Sequence, residues 1–152
     1  MATTTFQGIV RSNGGAGKGN ATPSVVTLSE VISVDPTASS ATAVRIGTSA
    51  TAGETFVLPT RAIPISFMTI GGSTGGTNPT VDIGTSADPD GFFNEVDSDT
   101  KGTLKGADGA LVVAGGISAA STVTGIVGSS AATGGTVTGV FTYTVVDAGL
   151  EG

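Results

Sequence analysis

The sequence lacks the residue types on which most catalytic and metal sites depend. Its 152 residues include no cysteine and no histidine. Without cysteine there is no disulfide, thiolate nucleophile or sulfur-bound metal. Without histidine there is no Ser-His-Asp triad, and the commonest general base and zinc ligand are missing. These absences predict a protein that is not an enzyme and that carries no cofactor and no metal.

Charged residues are also scarce, and most of them are acidic. Asp, Glu, Lys and Arg together make up 12% of the chain, and the net charge is −6. Contacts to nucleic-acid phosphates need clustered Lys and Arg, so no nucleic-acid partner is expected. A partner with basic surface patches would be favoured, and its attachment should weaken as salt is added.

Long apolar runs are missing as well. No window approaches the roughly 18 consecutive apolar residues of a membrane helix, so no membrane association is predicted. The first residues lack the basic segment and apolar run of a signal peptide. We therefore expect synthesis in the cytoplasm, where the absence of cysteine suits a reducing environment.

The abundant residues are those that form strands and turns. Thr and Val dominate, and 25 Gly and 6 Pro separate short apolar runs. No long segment repeats apolar residues at helical spacing. The predicted strands of the domain are residues 24–34, 41–46, 55–58, 62–70, 80–83, 110–113, 122–127 and 136–146. This rhythm is typical of an all-β protein, and it predicts an antiparallel β-sandwich.

The composition divides the chain into three parts. Residues 1–23 form an N-terminal arm and a Gly-rich linker, residues 24–147 the sandwich domain, and residues 148–152 a short tail. The Gly-rich stretch resembles a phosphate-binding loop, but a Walker loop needs Gly where Ser12 stands and Ser or Thr where Gly19 stands. A flexible linker is the interpretation that the spacing favours.

A concentration of carboxylates follows the strand at residues 80–83. Its members are Asp82, Asp88, Asp90, Glu95, Asp97 and Asp99. Such a cluster could ligate Ca²⁺, but Gly91 comes too early for EF-hand spacing, which favours a solvated loop rich in turns. A pair of glycosidase carboxylates is a further alternative, although the chain has few aromatic residues to line a sugar cleft.

Two groups of apolar residues are candidates for contacts with a partner. Phe92 and Phe93 are adjacent within the acidic loop, and we predict that one ring enters the core and the other contacts a partner. Phe6, Ile9 and Val10 are separated from the domain by the linker, and we predict that they also dock on a partner.

The turn phrases of the middle of the chain resemble those of small virion structural proteins of tailed bacteriophages. The phrases are GGTNPTVDIGT at residues 75–85, DPDGF at 88–92 and FVLP at 56–59. A late stretch rich in Gly, Thr and Ala that closes on a Val/Thr/Tyr strand is similar too, so the likeness covers roughly residues 41–146. It consists of turn phrases and strand order and includes no catalytic motif.

The resemblance implies a capsid decoration, or cement, protein. Such proteins are small all-β domains, often trimeric, that lie on the outer surface of the capsid and clamp neighbouring major capsid subunits. We therefore expect a jelly-roll-like sandwich with a flexible N-terminal arm, whose partners are the major capsid protein and its own copies in a homotrimer. The alternative is a head- or tail-fibre module whose loops bind a glycan on the host surface.

Overall fold

The computed structural model describes residues 24–72 and 74–147, and the structural statements below concern these residues. The predicted arm and linker (1–23) and the tail (148–152) lie outside them. The described elements are eleven strands and one short helix: β1 (Ser24–Val34), β2 (Thr42–Ala43), β3 (Arg45–Ile46), β4 (Val57–Leu58), β5 (Ala62–Gly71), β6 (Thr80–Gly84), β7 (Phe93–Asp97), β8 (Leu104–Gly106), α1 (Ala110–Val113), β9 (Ser121–Thr122), β10 (Thr124–Val127) and β11 (Val137–Asp147).

Two antiparallel sheets enclose one apolar core. The large sheet has the strand order β3-β1-β11-β5-β8, and the small sheet has the order β2-β10-β6-β7. A two-stranded sheet of β4 and β9 accompanies them. Within the described residues, no helix is long and apolar enough to cross a membrane.

The strand pairing has the nested order of a jelly roll. The first and last strands, β1 and β11, pair with each other, and β2 pairs with β10. Further inside the sequence, β5 pairs with β8 and β6 pairs with β7. Successive pairs fall alternately in the large and the small sheet, as when one long antiparallel hairpin rolls into a two-sheet jelly roll. The predicted all-β antiparallel sandwich is confirmed, and its topology is that of a jelly roll.

A cluster of aromatic rings fills the space between the sheets. Its centre is Phe141 of β11, whose ring centroid lies 5.2 Å from that of Phe56, 5.3 Å from that of Phe93 and 6.4 Å from that of Phe92. Edge-to-face pairs of this kind contribute about 0.5–1.5 kcal/mol each beyond the burial of their area. A chain with few bulky residues thus concentrates them at one point of the core.

The long strands follow the sequence prediction closely. The predicted limits of β1 are those observed, with Ile32 and Val34 buried on its inner side. Glu30, a charged residue among the apolar inner positions of β1, lies opposite Phe141 within an unbroken β1–β11 ladder. Pairing along the whole length of β1 therefore accommodates this carboxylate without ending the strand.

The prediction of a strand at residues 110–113 is wrong, because these residues form the helix α1. Gly115 and Gly116 follow it with φ near +93° and +92°, a conformation that ends helices and that residues other than glycine rarely adopt. A run of four apolar residues cannot be assigned to strand or helix from its periodicity.

The strands β7 and β8 were not predicted, and β7 lies inside the segment interpreted as an acidic loop.

β5 departs from simple alternation of its two faces. Strict alternation would place Ile65 on the same face as Phe67 and Thr69, but Phe67 and Thr69 are fully buried and Ile65 is 41% exposed. The ladder with β11 shifts register at Ile65 and again at Ile70, and each β-bulge inserts one extra residue that reverses the alternation. Pro64 lies beyond the three residues of β5 that pair with β8, as suits a residue without an N–H group.

Candidate functional site

The predicted carboxylates gather at one edge of the small sheet. β6 and its edge neighbour β7 carry three of them, and the loops beside these strands carry the others. We call this group the acidic edge; it comprises Asp82, Asp88, Asp90, Glu95, Asp97, Asp99 and Asp108. The structure thus brings together the acidic residues singled out in the sequence and adds Asp108 from the loop after β8.

The Glu95 side chain joins β7 to two other segments of the chain through hydrogen bonds. It lies in a β-bulge of β7 with φ of 57°. Its side chain reaches Thr80 of β6 and Ser129 after β10. Its carboxylate accepts hydrogen bonds from the Thr80 hydroxyl (2.5 Å) and from the Ser129 hydroxyl and N–H (2.8 Å each). These bonds, that from Thr80 first, lower the pKa of Glu95 below its ordinary value of 4.5.

Asp82 supports the same bulge from the neighbouring strand. Its carboxylate accepts the N–H of Glu95 at 2.8 Å. Burial raises the pKa of Asp82 above 3.8, and the negative charges of Glu95, Asp90 and Asp108 add to this increase. The bulge therefore places two carboxylates close together, one with a lowered pKa and one with a raised pKa.

Asp97 and Asp108 hold the turns that follow β7 and β8. Asp97 accepts the N–H groups of Asp99 and Thr100 at 2.9 and 2.8 Å, and these bonds lower its pKa although burial acts to raise it. Asp108 pairs with Lys105 at 2.6 Å and accepts the N–H of Asn94 at 3.1 Å. Against the opposing effect of burial, these two partners lower the pKa of Asp108.

The loop between β6 and β7 adds a pair of neighbouring carboxyl groups. Burial raises the pKa of Asp88, and a hydrogen bond with the Asp90 side chain and its charge raise it further. Across residues 24–72 and 74–147, no three acidic side chains are arranged to hold a metal ion. The carboxylates bond hydroxyls, backbone N–H groups and Lys105 instead of a common centre, so the calcium hypothesis gains no support.

The structure places both rings of Phe92 and Phe93 in the core. Each residue is fully buried, and each ring meets that of Phe141. The prediction that one of these rings enters the core agrees with this placement. The prediction that the other contacts a partner finds no exposed ring to support it. Phe6, Ile9 and Val10 lie outside the described residues.

A shallow cavity opens beside α1, away from the acidic edge. It encloses about 380 Å³ and is lined by Arg61, Ile63 and residues 114–118. Arg61 is its one titratable lining residue, so the cavity offers a cation and an apolar wall but no carboxylate that could act with it as a general acid or base.

The sequence did not reveal the hydrogen-bond partners of Glu95 in the acidic edge. The Thr80 hydroxyl stands two residues from Asp82 on β6, so strand alternation could have placed both on the outer face. Ser129 gave no such signal, because it is 34 residues from Glu95 in the chain. Only the pairing of β6 with both β7 and β10 brings these residues together.

Comparison with family models and with curated proteins finds no match to this chain. Among solved structures, a chain in "Cyanophage Pam1 capsid asymmetric unit" is similar, with 19% sequence identity over 95% of this chain and 98% of that chain. The TM-score is 0.45. A likeness at this level carries no weight for function, which has to be inferred from the residues themselves.

Proposed function

We propose that this chain is a non-enzymatic structural protein of a phage virion. In this proposal it lies on the outer surface of the capsid as a homotrimer and stabilises the shell by clamping neighbouring major capsid subunits. The resemblance of its turn phrases to small virion proteins suggests this role, and a jelly roll is a fold that capsid proteins use. Because folds host many functions, the proposal has to be supported by the side chains.

The observation that supports the proposal is that carboxylates of the acidic edge bond to other groups of the protein. Glu95, Asp97 and Asp108 bond groups within the protein and stiffen the turns of the jelly roll. The cavity beside α1 has no carboxylate in its lining. The described residues therefore form a rigid, negatively charged surface, which suits adhesion better than turnover.

The acidic edge is the proposed contact for basic patches on the capsid. Exposed Asp90 and Asp99 supply negative charge on loops that the neighbouring bonds hold in place. Each contact needs to contribute only a few kcal/mol, because many copies act together on one shell. Phe6, Ile9 and Val10 are proposed to add an apolar contact from the N-terminal arm.

The glycan-binding alternative has less support from the described residues. Stacking of a sugar ring needs an aromatic face that is open to solvent. The five described Phe side chains, however, are at most 3% exposed, and Tyr143 packs against the core beside Phe56 and Phe141. The described surface therefore offers no aromatic platform in the open.

Heating of decorated and stripped particles tests the proposal. We expect particles that lose this protein to burst at a lower temperature and purified protein to restore their resistance. Asp90→Lys and Asp99→Lys should each restore less, whereas the exposed Glu54→Lys on another loop serves as the charge-matched control for each single variant. Equal bursting temperatures for bare and decorated particles would refute the clamping role.

A further inference from the structure

The face that β1, β11, β5 and β8 form on the outer side of the large sheet carries no charge, although the edge strand β3 places Arg45 beside it, opposite Ser33. Its side chains come from alternate positions of β1, β11, β5 and β8 and from the two bulges of β5. We call it the uncharged face; it comprises Val25, Thr27, Ser29, Val31, Ile63, Ile65, Ser66, Met68, Ile70, Leu104, Gly106, Val140, Thr142 and Thr144. Each of these residues is aliphatic, a Ser or Thr, or glycine, in a protein whose net charge is −6.

An apolar row crosses this face from strand to strand. Val31 of β1 lies opposite Val140 of β11, which lies opposite Met68 of β5, which lies opposite Leu104 of β8. Directly opposite side chains of a sheet are neighbours, with Cβ atoms about 4.5–5.5 Å apart. The row is therefore a continuous apolar ridge four strands wide.

Exposed apolar side chains are concentrated on the same face. Val25, Ile65, Met68, Ile70 and Leu104 are between 37% and 65% exposed. Within the part of the chain that the structure describes, the other large apolar side chains left this open are Val57 and Val113. Scattered exposed aliphatic residues are normal, but a contiguous patch marks an interaction surface.

The backbone contributes to this concentration. The two bulges of β5 fall at Ile65 and Ile70, where the register with β11 shifts. Each bulge leaves its isoleucine outside the ladder and about 40% exposed, while Phe67 and Thr69 between them stay buried. β5 thus presents Ile65, Met68 and Ile70 outward together, although strict alternation would have sent Ile65 to the side of Phe67.

We infer that the uncharged face is covered by a second copy of this chain. Copies with a charge of −6 repel one another, and the repulsion is greatest where their acidic edges approach. The acidic edge belongs to the small sheet, so contact through the outer face of the large sheet keeps the carboxylates apart. A basic partner would instead bind the acidic edge. The uncharged face therefore suits a partner whose binding does not depend on opposite charge.

The size of the face fits this occupant. Four strands spaced about 4.8 Å apart, with side chains at the margins, give a width of about 19 Å. The seven residues from Val25 to Val31 occupy a length of about 23 Å at ~3.3 Å per residue, so the projected area is roughly 400 Å². The accessible area is larger because side chains corrugate the surface, and it forms a large share of the ~800 Å² that each partner contributes to a standard interface.

This inference rests on the self-association included in the proposed function, but it does not require a capsid. It specifies the face that joins the copies, whether two faces pack against each other or three copies close a ring. Salt distinguishes the two contacts. Added salt screens the repulsion between copies and should strengthen self-association, whereas it should weaken attachment of the acidic edge to a basic shell.

Sedimentation of the full-length purified protein tests the inference. We expect the wild type to sediment as two or more copies and to associate more tightly at higher salt. Met68→Lys and Leu104→Lys should each raise the dissociation constant at least tenfold, because an unpaired ammonium would be buried at the contact. Val113→Lys, on the exposed helix α1, and Val57→Lys are matched controls that should leave association unchanged, and circular dichroism should show every variant folded.

A wild-type protein that stays monomeric at every concentration would overturn the inference. So would equal association of Leu104→Lys and wild type, or equal disruption by the Val113→Lys control. If Phe6→Asp alone abolishes association while Leu104→Lys does not, the N-terminal segment and not the uncharged face joins the copies, and the inference fails. Monomers that still protect particles from heat would refute this inference and leave the proposed function standing.

Discussion

Individual carboxylates of this protein stabilise the local structure through hydrogen bonds. Glu95 shows this most clearly, because it occupies a backbone conformation uncommon for a residue other than glycine and still receives three hydrogen bonds. A carboxylate that accepts several bonds stabilises the fold in its ionised form. The charge that gives the acidic edge its chemistry is therefore also a source of local rigidity.

Replacement of Glu95 by Gln should destabilise the protein. The amide cannot accept all three bonds, so we expect the free energy of unfolding at pH 7 to fall by about 1 kcal/mol, a charged hydrogen-bond contribution reduced for partial exposure. Denaturant unfolding of Glu95→Gln and wild type measures the change. Glu54→Gln, an exposed carboxylate elsewhere, is the control and should change stability by less than about 0.5 kcal/mol.

The same substitution makes a prediction about pH. The folded-state pKa of Glu95 lies below 4.5, so its stabilisation is complete above about pH 4.5 and is lost as pH falls through the folded-state value. The difference in unfolding free energy between wild type and Glu95→Gln should therefore shrink from pH 6 towards pH 3. A difference that stays constant or grows on acidification would show that the charge of Glu95 does not fasten the bulge.

At the scale of elements, the contact between β11 and β5 sets the packing of the large sheet. Gly139 of β11 lies opposite Thr69, and a Cβ placed on Gly139 would come within 2.2 Å of the Phe67 ring. The ring therefore occupies the space that any larger residue at position 139 would need. β11 accommodates this core ring only because its residue there has no side chain.

Gly139→Ala should consequently destabilise the protein by about 1–3 kcal/mol, the usual effect of overpacking a filled core. Gly134→Ala in the loop before β11 is the control, since a Cβ at that position has nothing within 4 Å. Thermal unfolding of the two variants should show a clearly lower midpoint for Gly139→Ala alone. Equal midpoints would mean that the Phe67 ring is not fixed against β11.

Long strands with alternating apolar residues were predictable from the sequence, and short elements were not. β1 and β11 carry apolar residues at every second position over many residues, and this period has a single interpretation. β8 has three residues and α1 four, too few for a period to appear. β7 was hidden because the bulge at Glu95 breaks its alternation and because its acidic residues are typical of a loop.

The candidate site was likewise predictable from the sequence only in part. The acidic residues and their proximity along the chain were visible in the sequence, but their roles depend on long-range contacts such as that between Glu95 and Ser129. The uncharged face was not visible either. It arises because residues from four strands, up to 119 positions apart in sequence between Val25 and Thr144, fall on one side of a rolled sheet.

At the scale of the whole molecule, the two sheets present different surfaces. The small sheet carries the acidic edge, and the outer face of β1, β11, β5 and β8 in the large sheet carries no charged residue. A protein with this division can associate with like copies on one side and with a basic surface on the other. The division follows from the nested strand order, which assigns the acidic segments of β6 and β7 to the small sheet.

Attachment to the shell should therefore depend on salt. Screening of exposed charges over a Debye length of about 8 Å at physiological ionic strength, and about 3 Å at 1 M, should reduce occupancy of the particles as salt rises. Occupancy can be measured from the protein that sediments with particles across a salt series. Unchanged occupancy over the series would contradict attachment through the acidic edge and favour an apolar contact.

Imaging of purified particles at moderate resolution tests the central claim most directly. The account predicts a 14.6 kDa two-sheet density in many symmetry-related copies on the outer surface, bridging neighbouring shell subunits. Particles that lack such a density although they contain every other component, or a density confined to one unique vertex or fibre, would contradict it.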